Sequence, residues 1–185
     1  RWRRRGAAGA LGPDDKLYGV TFGGGANSRG IAFKMGKNGE AYSILHHFDE
    51  PGDGSHPLAP LFYATDGYFY GTMVNGRGFL GGIFRIRPDG TDYRVLYKLT
   101  DRNRDGNQCR GNLVEAPAGV LWGCTIAGGK YGAGVIFRAR MDGTDYRTMW
   151  HFGKDSLDGR SPTGGLSLLD NGWVAGTAAE GGDLL

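Results

Sequence analysis

The chain has 185 residues, of which 36 are glycine, 39% are hydrophobic and 12% are aromatic. These fractions exclude a disordered chain, the absence of a Gly-X-Y period excludes collagen, and no apolar run is long enough to span a bilayer. The formal net charge is +3, but the basic excess stands at the amino terminus and the remainder is close to neutral. A near-neutral body argues against nucleic-acid binding, which requires a basic face over the folded surface.

The chain starts without Met or a signal peptide, so we expect a processed or partial chain. Its first residues are basic, with Arg1, Arg3, Arg4 and Arg5 placed around Trp2. Such a segment is either a solvated tail or a strap that binds the acidic surface of a partner. These five residues are therefore a candidate partner-binding arm.

A segment of the Leu-Tyr-Gly type occurs four times along the chain, and its first copy is Leu17–Thr21. The glycines of successive copies are 52, 52 and 53 residues apart. The hexapeptide from Asp89 to Arg94 recurs without change from Asp142 to Arg147, which chance does not explain. This period predicts tandem structural units. We assign residues 1–10 to the arm and first strand, 11–60 to repeat 1, 61–112 to repeat 2, 113–164 to repeat 3, and 165–185 to a partial repeat 4.

Each full repeat contains four short segments of alternating hydrophobicity separated by turn signals, which predicts strands and not helices. In chain order, strand a precedes a Gly-containing turn, strand b is the Leu-Tyr-Gly segment, strand c carries a Phe and strand d begins at a Tyr. An Asn-Gly or Asp-Gly pair between strands c and d predicts a tight hairpin. The pattern indicates an all-β fold, a β-propeller of four-stranded antiparallel blades with about three and a half blades in this chain.

Propellers close with four to eight blades, so three and a half blades do not form a ring by themselves. Two explanations follow from the sequence. Residues beyond this chain complete the ring, or a second chain does, with two copies giving seven blades. We therefore expect a protein partner or a second propeller half.

In an up-and-down blade, the loops between strands b and c share a face with the loops that lead from strand d into the next strand a. This face should combine the Asp residues of three Asp-Gly steps with nearby basic side chains. Repeated carboxylates could bind Ca²⁺ or sugar hydroxyls, although an Asp before Gly more often shapes its own turn. The candidate ligand-binding residues are Asp53, His56, Asp105, Asp158, Arg29, Arg77 and Arg160.

The histidines and cysteines give weaker signals. His46 occupies a position held by aromatic residues in the other repeats and is expected in the core, whereas His47 and His151 are expected to be exposed strand residues. A turn near Pro117 would bring Cys109 and Cys124 close together, as a disulfide or as two thiols. No His or Cys spacing suggests zinc, so we expect no dedicated metal site.

These motifs resemble the GloVer tandem repeat. Asp53–Pro57 and Asp158–Pro162 match its Asp-Gly and Pro loop, Leu17–Thr21 matches its Tyr-Gly-Thr core, and the double glycine that follows is also present. The middle loop departs, because Cys109 stands where the family has proline. Kelch repeats are similar too. Both resemblances imply a propeller, and the first implies a bacterial secreted or surface-anchored protein, hence an extracellular location, without an assigned reaction.

The sequence has no Gly-x-Ser-x-Gly elbow, and its Gly-rich stretches precede strands instead of opening phosphate-binding helices. We therefore assign no catalytic residue and no cofactor other than the weak Ca²⁺ hypothesis. The expected function is a non-catalytic binding or scaffold module that mediates protein or surface interactions. The alternatives are a carbohydrate-binding or carbohydrate-active propeller, and a structural subunit of a larger assembly.

Overall fold

A computed structural model describes residues 10–48 and 52–181 of the chain. It contains four antiparallel sheets, each formed by strands that are close in sequence. In the first sheet the strands run in chain order, and they are β1 (Ala10–Leu11), β2 (Leu17–Thr21), β3 (Ile31–Met35) and β4 (Ser43–His47). The candidate arm from Arg1 to Arg5 lies outside the described residues.

The second and third sheets repeat this plan with strand a divided into two short pieces, which pair with opposite ends of strand b. The second sheet contains β5 (Ser55–Pro57), β6 (Phe62–Tyr63), β7 (Phe69–Asn75), β8 (Gly82–Ile86) and β9 (Arg94–Lys98). After the short helix α1 (Arg102–Asp105), the third contains β10 (Asn107–Cys109), β11 (Val114–Ala116), β12 (Val120–Ala127), β13 (Val135–Arg140) and β14 (Arg147–His151). The fourth pairs only β15 (Leu166–Leu168) with β16 (Val174–Gly176) among the described residues.

This architecture confirms the expected all-β fold of successive antiparallel blades. We call the sheets blades 1 to 4 in chain order. Strand β5 precedes the repeat boundary expected at residue 60, yet it pairs with β7 and belongs to blade 2. No helix of the described residues has the length and hydrophobicity to cross a membrane.

In blades 1 to 3, the glycine of strand b makes room for an aromatic ring within its own sheet. Gly71 lies opposite Phe84 in the β7–β8 register, and a Cβ atom on Gly71 would stand 2.4 Å from Cζ of that ring. Gly19 faces Phe33 and Gly123 faces Phe137 in the same way. The period of about 52 residues therefore reflects a glycine and phenylalanine pair in each of blades 1 to 3.

The hydrophobic core lies between successive blades. Phe48 of blade 1 packs edge-on against Phe84 of blade 2, with ring centroids 5.1 Å apart. Tyr18 stacks on Phe69 across the same boundary at 4.2 Å. All four side chains are fully buried, and burying an aromatic side chain contributes about 2 to 3 kcal/mol. Stacking of neighbouring blades therefore stabilises the fold.

A backbone hydrogen bond that recurs in blades 2 to 4 joins each blade to the one before it. His56, Gln108 and Ser161 occupy equivalent positions and adopt φ values of 58°, 60° and 51°. Their N–H groups donate to the carbonyl oxygens of Arg29, Leu80 and Ala133 at 2.8, 3.0 and 2.9 Å. These bonds tie β5, β10 and the segment around Ser161 to the loop between strands b and c of the preceding blade.

Candidate functional site: the loop face

Asp53 joins blade 1 to blade 2. Its Oδ2 atom lies 2.9 Å from Nε2 of His46, whose ring stacks on that of Tyr93 at 3.8 Å. The Tyr93 hydroxyl donates to the carbonyl oxygen of Asp53 at 2.6 Å. The carboxylate therefore orients a histidine between two blades, and His46 packs against aromatic rings as the sequence predicted.

Asp105 is the last residue of helix α1 and is fully buried. Its carboxylate accepts hydrogen bonds from the backbone N–H groups of Thr100 and Asp101 at 3.1 and 3.2 Å, and from Nε of Arg104 at 2.7 Å. Burial alone would raise the pKa of Asp105, but these donors outweigh it and hold the pKa below its usual value. Asp105 is thus the acceptor that orders its own loop.

Asp158 shapes a turn in the third of these loops. Its Oδ2 atom accepts the N–H of Lys154 at 3.1 Å, and its own N–H donates to Oδ1 of Asp155 at 3.1 Å. Such Asx bonds are common where the chain reverses. Within residues 10–48 and 52–181, no three His, Cys, Asp or Glu side chains form a group that could hold a metal ion. A Ca²⁺ ion on this face stays a prediction of the sequence.

The basic candidate residues of this face differ in their burial and contacts. His56 contacts Ser55 Oγ through Nδ1 at 2.9 Å, and its ring lies 4.6 Å from the ring of Phe22. Burial and the neighbouring Arg29 charge lower the pKa of His56. Arg77 and Arg160 are exposed. The structure thus groups Phe22, Arg29 and His56 as one small aromatic and cationic patch.

The sequence predicted that His47 and His151 are exposed, but both are partly buried and have a structural role. Nδ1 of His47 accepts the N–H of Ala26 at 3.3 Å, and Nδ1 of His151 accepts that of Lys130 at 3.1 Å. Both bonds hold the Gly-rich loop between strands b and c. The equal spacing in repeats 1 and 3, 21 residues from donor to acceptor, was the available signal.

Replacing His151 with Ala is expected to loosen the loop around Lys130 because its backbone donor loses the imidazole acceptor. One such bond contributes about 1 kcal/mol, so the Lys130 amide should exchange its hydrogen roughly fivefold faster. Amide exchange followed by NMR measures this. His151→Asn is the matched control, since its side-chain oxygen can accept the same bond. Equal exchange in wild type and His151→Ala would contradict the assignment.

The two cysteines remain free thiols in the structure, and both are buried. Cys109 lies opposite Thr125 in the β10–β12 register, so Cys124 is one residue away and points to the other face of the sheet. Burial raises the pKa of Cys124 to about 11, and its Sγ atom donates to the carbonyl of Pro162 at 3.3 Å. The structure therefore has two free thiols at Cys109 and Cys124 and no disulfide between them.

The identical hexapeptides serve the opposite face of the propeller. Oδ1 of Asp92 accepts a hydrogen bond from Nε of Arg94 at 2.6 Å, and its Oδ2 lies 3.4 Å from Nη2 of Arg85. In blade 3, Asp145 makes the same two contacts with Arg147 and Arg138. The Tyr70 hydroxyl reaches the carbonyl of Met141 in that blade at 3.2 Å. The repeated residues therefore fix their own turns, and Tyr70 adds a hydrogen bond to the next blade.

Comparison with solved structures supports the same class of protein. The chain is similar to a structure from a nidogen/laminin complex, with 21% identity over 87% of this chain and 50% of that one, and a TM-score of 0.57. It is also similar to a gluconolactonase from Xanthomonas campestris, with 17% identity, 94% and 56% coverage, and a TM-score of 0.63. The chain spans about half the length of these two structures. No curated protein sequence matches it.

The blades and their repeated links define the molecule as a β-propeller of tandem repeats. The chain belongs to the Gloeobacter/Verrucomicrobia repeat family, whose model matches residues 3–184. The resemblance drawn from the Asp-Gly loops and the Tyr-Gly core is thus confirmed.

Proposed function

We propose that this propeller is a non-catalytic binding or scaffold module that mediates protein or surface interactions outside a bacterial cell. The observation that carries the proposal is that the loop-face carboxylates are bonded within the protein while large apolar side chains are exposed. Asp53, Asp105 and Asp158 are engaged within their own loops and blade boundaries. Large apolar side chains, by contrast, are exposed at the two ends of the blade array.

At one end, blade 1 exposes 45% of Tyr42 and 43% of Ile44. At the other, blade 3 exposes 47% of both Met149 and Trp150, and 72% of Trp173 is exposed in blade 4. Aromatic residues and Met are enriched in the centres of protein interfaces, and exposed apolar clusters mark interaction sites. These apolar faces therefore suit contact with a further blade or with another protein.

A carbohydrate-binding or carbohydrate-active propeller is the second candidate. The patch of Phe22, Arg29 and His56 favours it, because an exposed aromatic ring can stack on a sugar while a guanidinium binds its hydroxyls. Phe22 is 42% exposed on the loop face. The similarity to a gluconolactonase, at 17% identity, supports only the shared fold.

A glycan array combined with a gluconolactone hydrolysis assay tests the choice between the two functions. We expect no specific glycan binding and no hydrolysis above the buffer rate. Binding or turnover that is lost in Phe22→Ala or Asp53→Asn would overturn the scaffold function and establish the carbohydrate alternative. Leu157→Ala, at a side chain that is 61% exposed, is the matched surface control.

A further inference from the structure

Blade 2 has a cleft of about 360 Å³ on the face that the hexapeptides serve. One wall is the turn between strands a and b, and the other is the turn between strands c and d. The residues that line the cleft are Asp66, Gly67, Tyr68, Arg87, Pro88 and Asp89. This volume is near the lower end of the range for small-ligand pockets, so the cleft suits a ligand about the size of one residue.

Hydrogen bonds orient the charged side chains of the second wall. Nε of Arg87 donates to the Tyr68 hydroxyl at 3.0 Å, and its guanidinium carbon lies 5.3 Å from the centroid of that ring. Oδ1 of Asp89 accepts the N–H and the hydroxyl of Thr91 at 2.9 and 2.7 Å. The bond to Tyr68 raises the pKa of Arg87, and the bonds from Thr91 lower the pKa of Asp89. Both groups are therefore charged at neutral pH.

Neighbouring blades hold both walls in place. Oδ2 of Asp66 in the first wall lies 2.7 Å from the Tyr70 hydroxyl, which also reaches the carbonyl oxygen of Met141 in blade 3 at 3.2 Å. The carbonyl oxygen of Pro88 in the second wall lies 3.3 Å from the Tyr18 hydroxyl of blade 1. The cleft is thus formed before a ligand arrives, which limits the ordering cost of binding.

The charged groups of the cleft retain hydrogen-bonding capacity for a ligand. Among residues 10–48 and 52–181, Oδ2 of Asp89 accepts no hydrogen bond, and the two Nη atoms of Arg87 donate none. A carboxylate only accepts hydrogen bonds and a guanidinium only donates them. The cleft therefore offers two negative acceptors and one positive donor side by side. A ligand that carries both a cation and an anion matches this arrangement.

The equivalent turns of blade 3 lack this combination. Blade 3 has the same hexapeptide, and Asp142 accepts the N–H and the hydroxyl of Thr144 as its counterpart does in blade 2. In the turn between strands a and b, however, Ala118 and Val120 replace the acidic and aromatic residues of blade 2. The acidic and aromatic wall of the cleft is thus an addition to the repeat, which the hairpin turn itself does not require.

We propose that this cleft binds the carboxy-terminal arginine of a partner polypeptide. The guanidinium of that arginine would bond Asp66 and Asp89, because its five N–H donors can span two carboxylates. Its terminal carboxylate would pair with Arg87. A terminal arginine carries both charges within one residue, which agrees with the size of the cleft. The inference rests on the proposed scaffold function and names the chemistry of its partner.

Three small compounds test the two charges separately. Nα-acetyl-L-arginine carries the guanidinium and a free carboxylate, Nα-acetyl-L-argininamide lacks the carboxylate, and Nα-acetyl-L-alanine lacks the guanidinium. NMR titration of the full chain follows the backbone amides of Gly67 and Gly90 in the two walls, with Gly119 and Gly143 of blade 3 as internal references. We expect the first compound to saturate with a Kd on the order of 1 mM. The other two should bind at least about fivefold more weakly.

Substitutions at matched positions of the two blades make the experiment specific. Asp89→Asn is expected to weaken the binding of Nα-acetyl-L-arginine about fivefold, because asparagine can still accept the Thr91 bonds but has no charge. Arg87→Gln should have a similar effect and should abolish the preference for the free carboxylate. Asp142→Asn and Arg140→Gln are the controls in blade 3, and neither should change the affinity. All four side chains are exposed, so we expect each variant to fold.

The possible outcomes separate this inference from the proposed function. Absence of saturable shifts at Gly67 and Gly90, or equal affinity for the three compounds, would overturn the arginine site. Equal affinity for Nα-acetyl-L-arginine and its amide would also overturn it, because the carboxylate would then have no role. If the glycan array is negative as well, the scaffold function stands with a different partner. Glycan binding that is lost in Asp89→Asn would instead overturn both proposals.

Discussion

Gly71→Ala is expected to lower the free energy of unfolding by about 3 kcal/mol, near the upper end of the usual range for overpacking a core. The new methyl group would lie 2.4 Å from Cζ of Phe84 and 3.0 Å from Cδ2 of Leu61. Phe84 is fully buried against Phe48 of the preceding blade, so its ring has no free space to enter. Urea denaturation followed by circular dichroism measures the change.

Gly19→Ala is the matched control in blade 1. Its methyl group would meet Phe33 at 2.8 Å, but Phe33 is only partly buried and can shift toward solvent. We expect a loss of less than about 1 kcal/mol there. Adding Phe84→Leu to Gly71→Ala should recover part of the lost stability, with a coupling of about 1 kcal/mol. Additive effects of the two changes would contradict the steric explanation.

Asp105→Ala is expected to destabilise the chain by about 3 kcal/mol, because it removes a buried carboxylate together with its charge-assisted hydrogen bonds. The donors are the N–H groups of Thr100 and Asp101, which bond the carboxylate at 3.1 and 3.2 Å. Asp158→Ala, at the equivalent loop position, should cost less than about 1 kcal/mol since its turn is partly exposed. Equal losses in both variants would show that the buried acceptor has no special role.

Acid should reproduce part of the Asp105 effect. The pKa of this carboxyl is lower in the folded chain than in the unfolded chain, where it is about 3.9. Its contribution is therefore fully present above the unfolded pKa and is lost as the pH falls through the folded pKa. Denaturation curves between pH 6 and pH 2 should show a smaller loss of stability in Asp105→Asn than in wild type.

The blades could be predicted from the sequence because their causes are local. Alternation with period 2, the Asn-Gly and Asp-Gly turns and the spacing of Gly19, Gly71 and Gly123 together specify strands and hairpins within about 50 residues. The role of those glycines could be seen only from the strand register, because the β7–β8 pairing places Phe84 over Gly71.

The loop face could be predicted only in part. Equivalent spacing suggested equivalent roles for Asp53, Asp105 and Asp158, yet each bonds a different partner because their neighbours in sequence differ. The Asp53 carboxylate contacts His46, whereas Asp105 ends a short helix and bonds the guanidinium of Arg104 in the same helix. Asp53 thus makes a contact between blades, Asp105 is a buried acceptor, and Asp158 shapes a partly exposed turn.

The sequence by itself determined the architecture, since a repeated pattern of turns and alternating strands leaves little choice of fold. Tertiary structure decided which strand surfaces are buried between blades. Strand d of each full repeat carries an aromatic or apolar pair, but only packing shows that Gly90 and Tyr93 of the next blade cover Leu45 and His46. These contacts join residues about 45 positions apart, which no local pattern brings together.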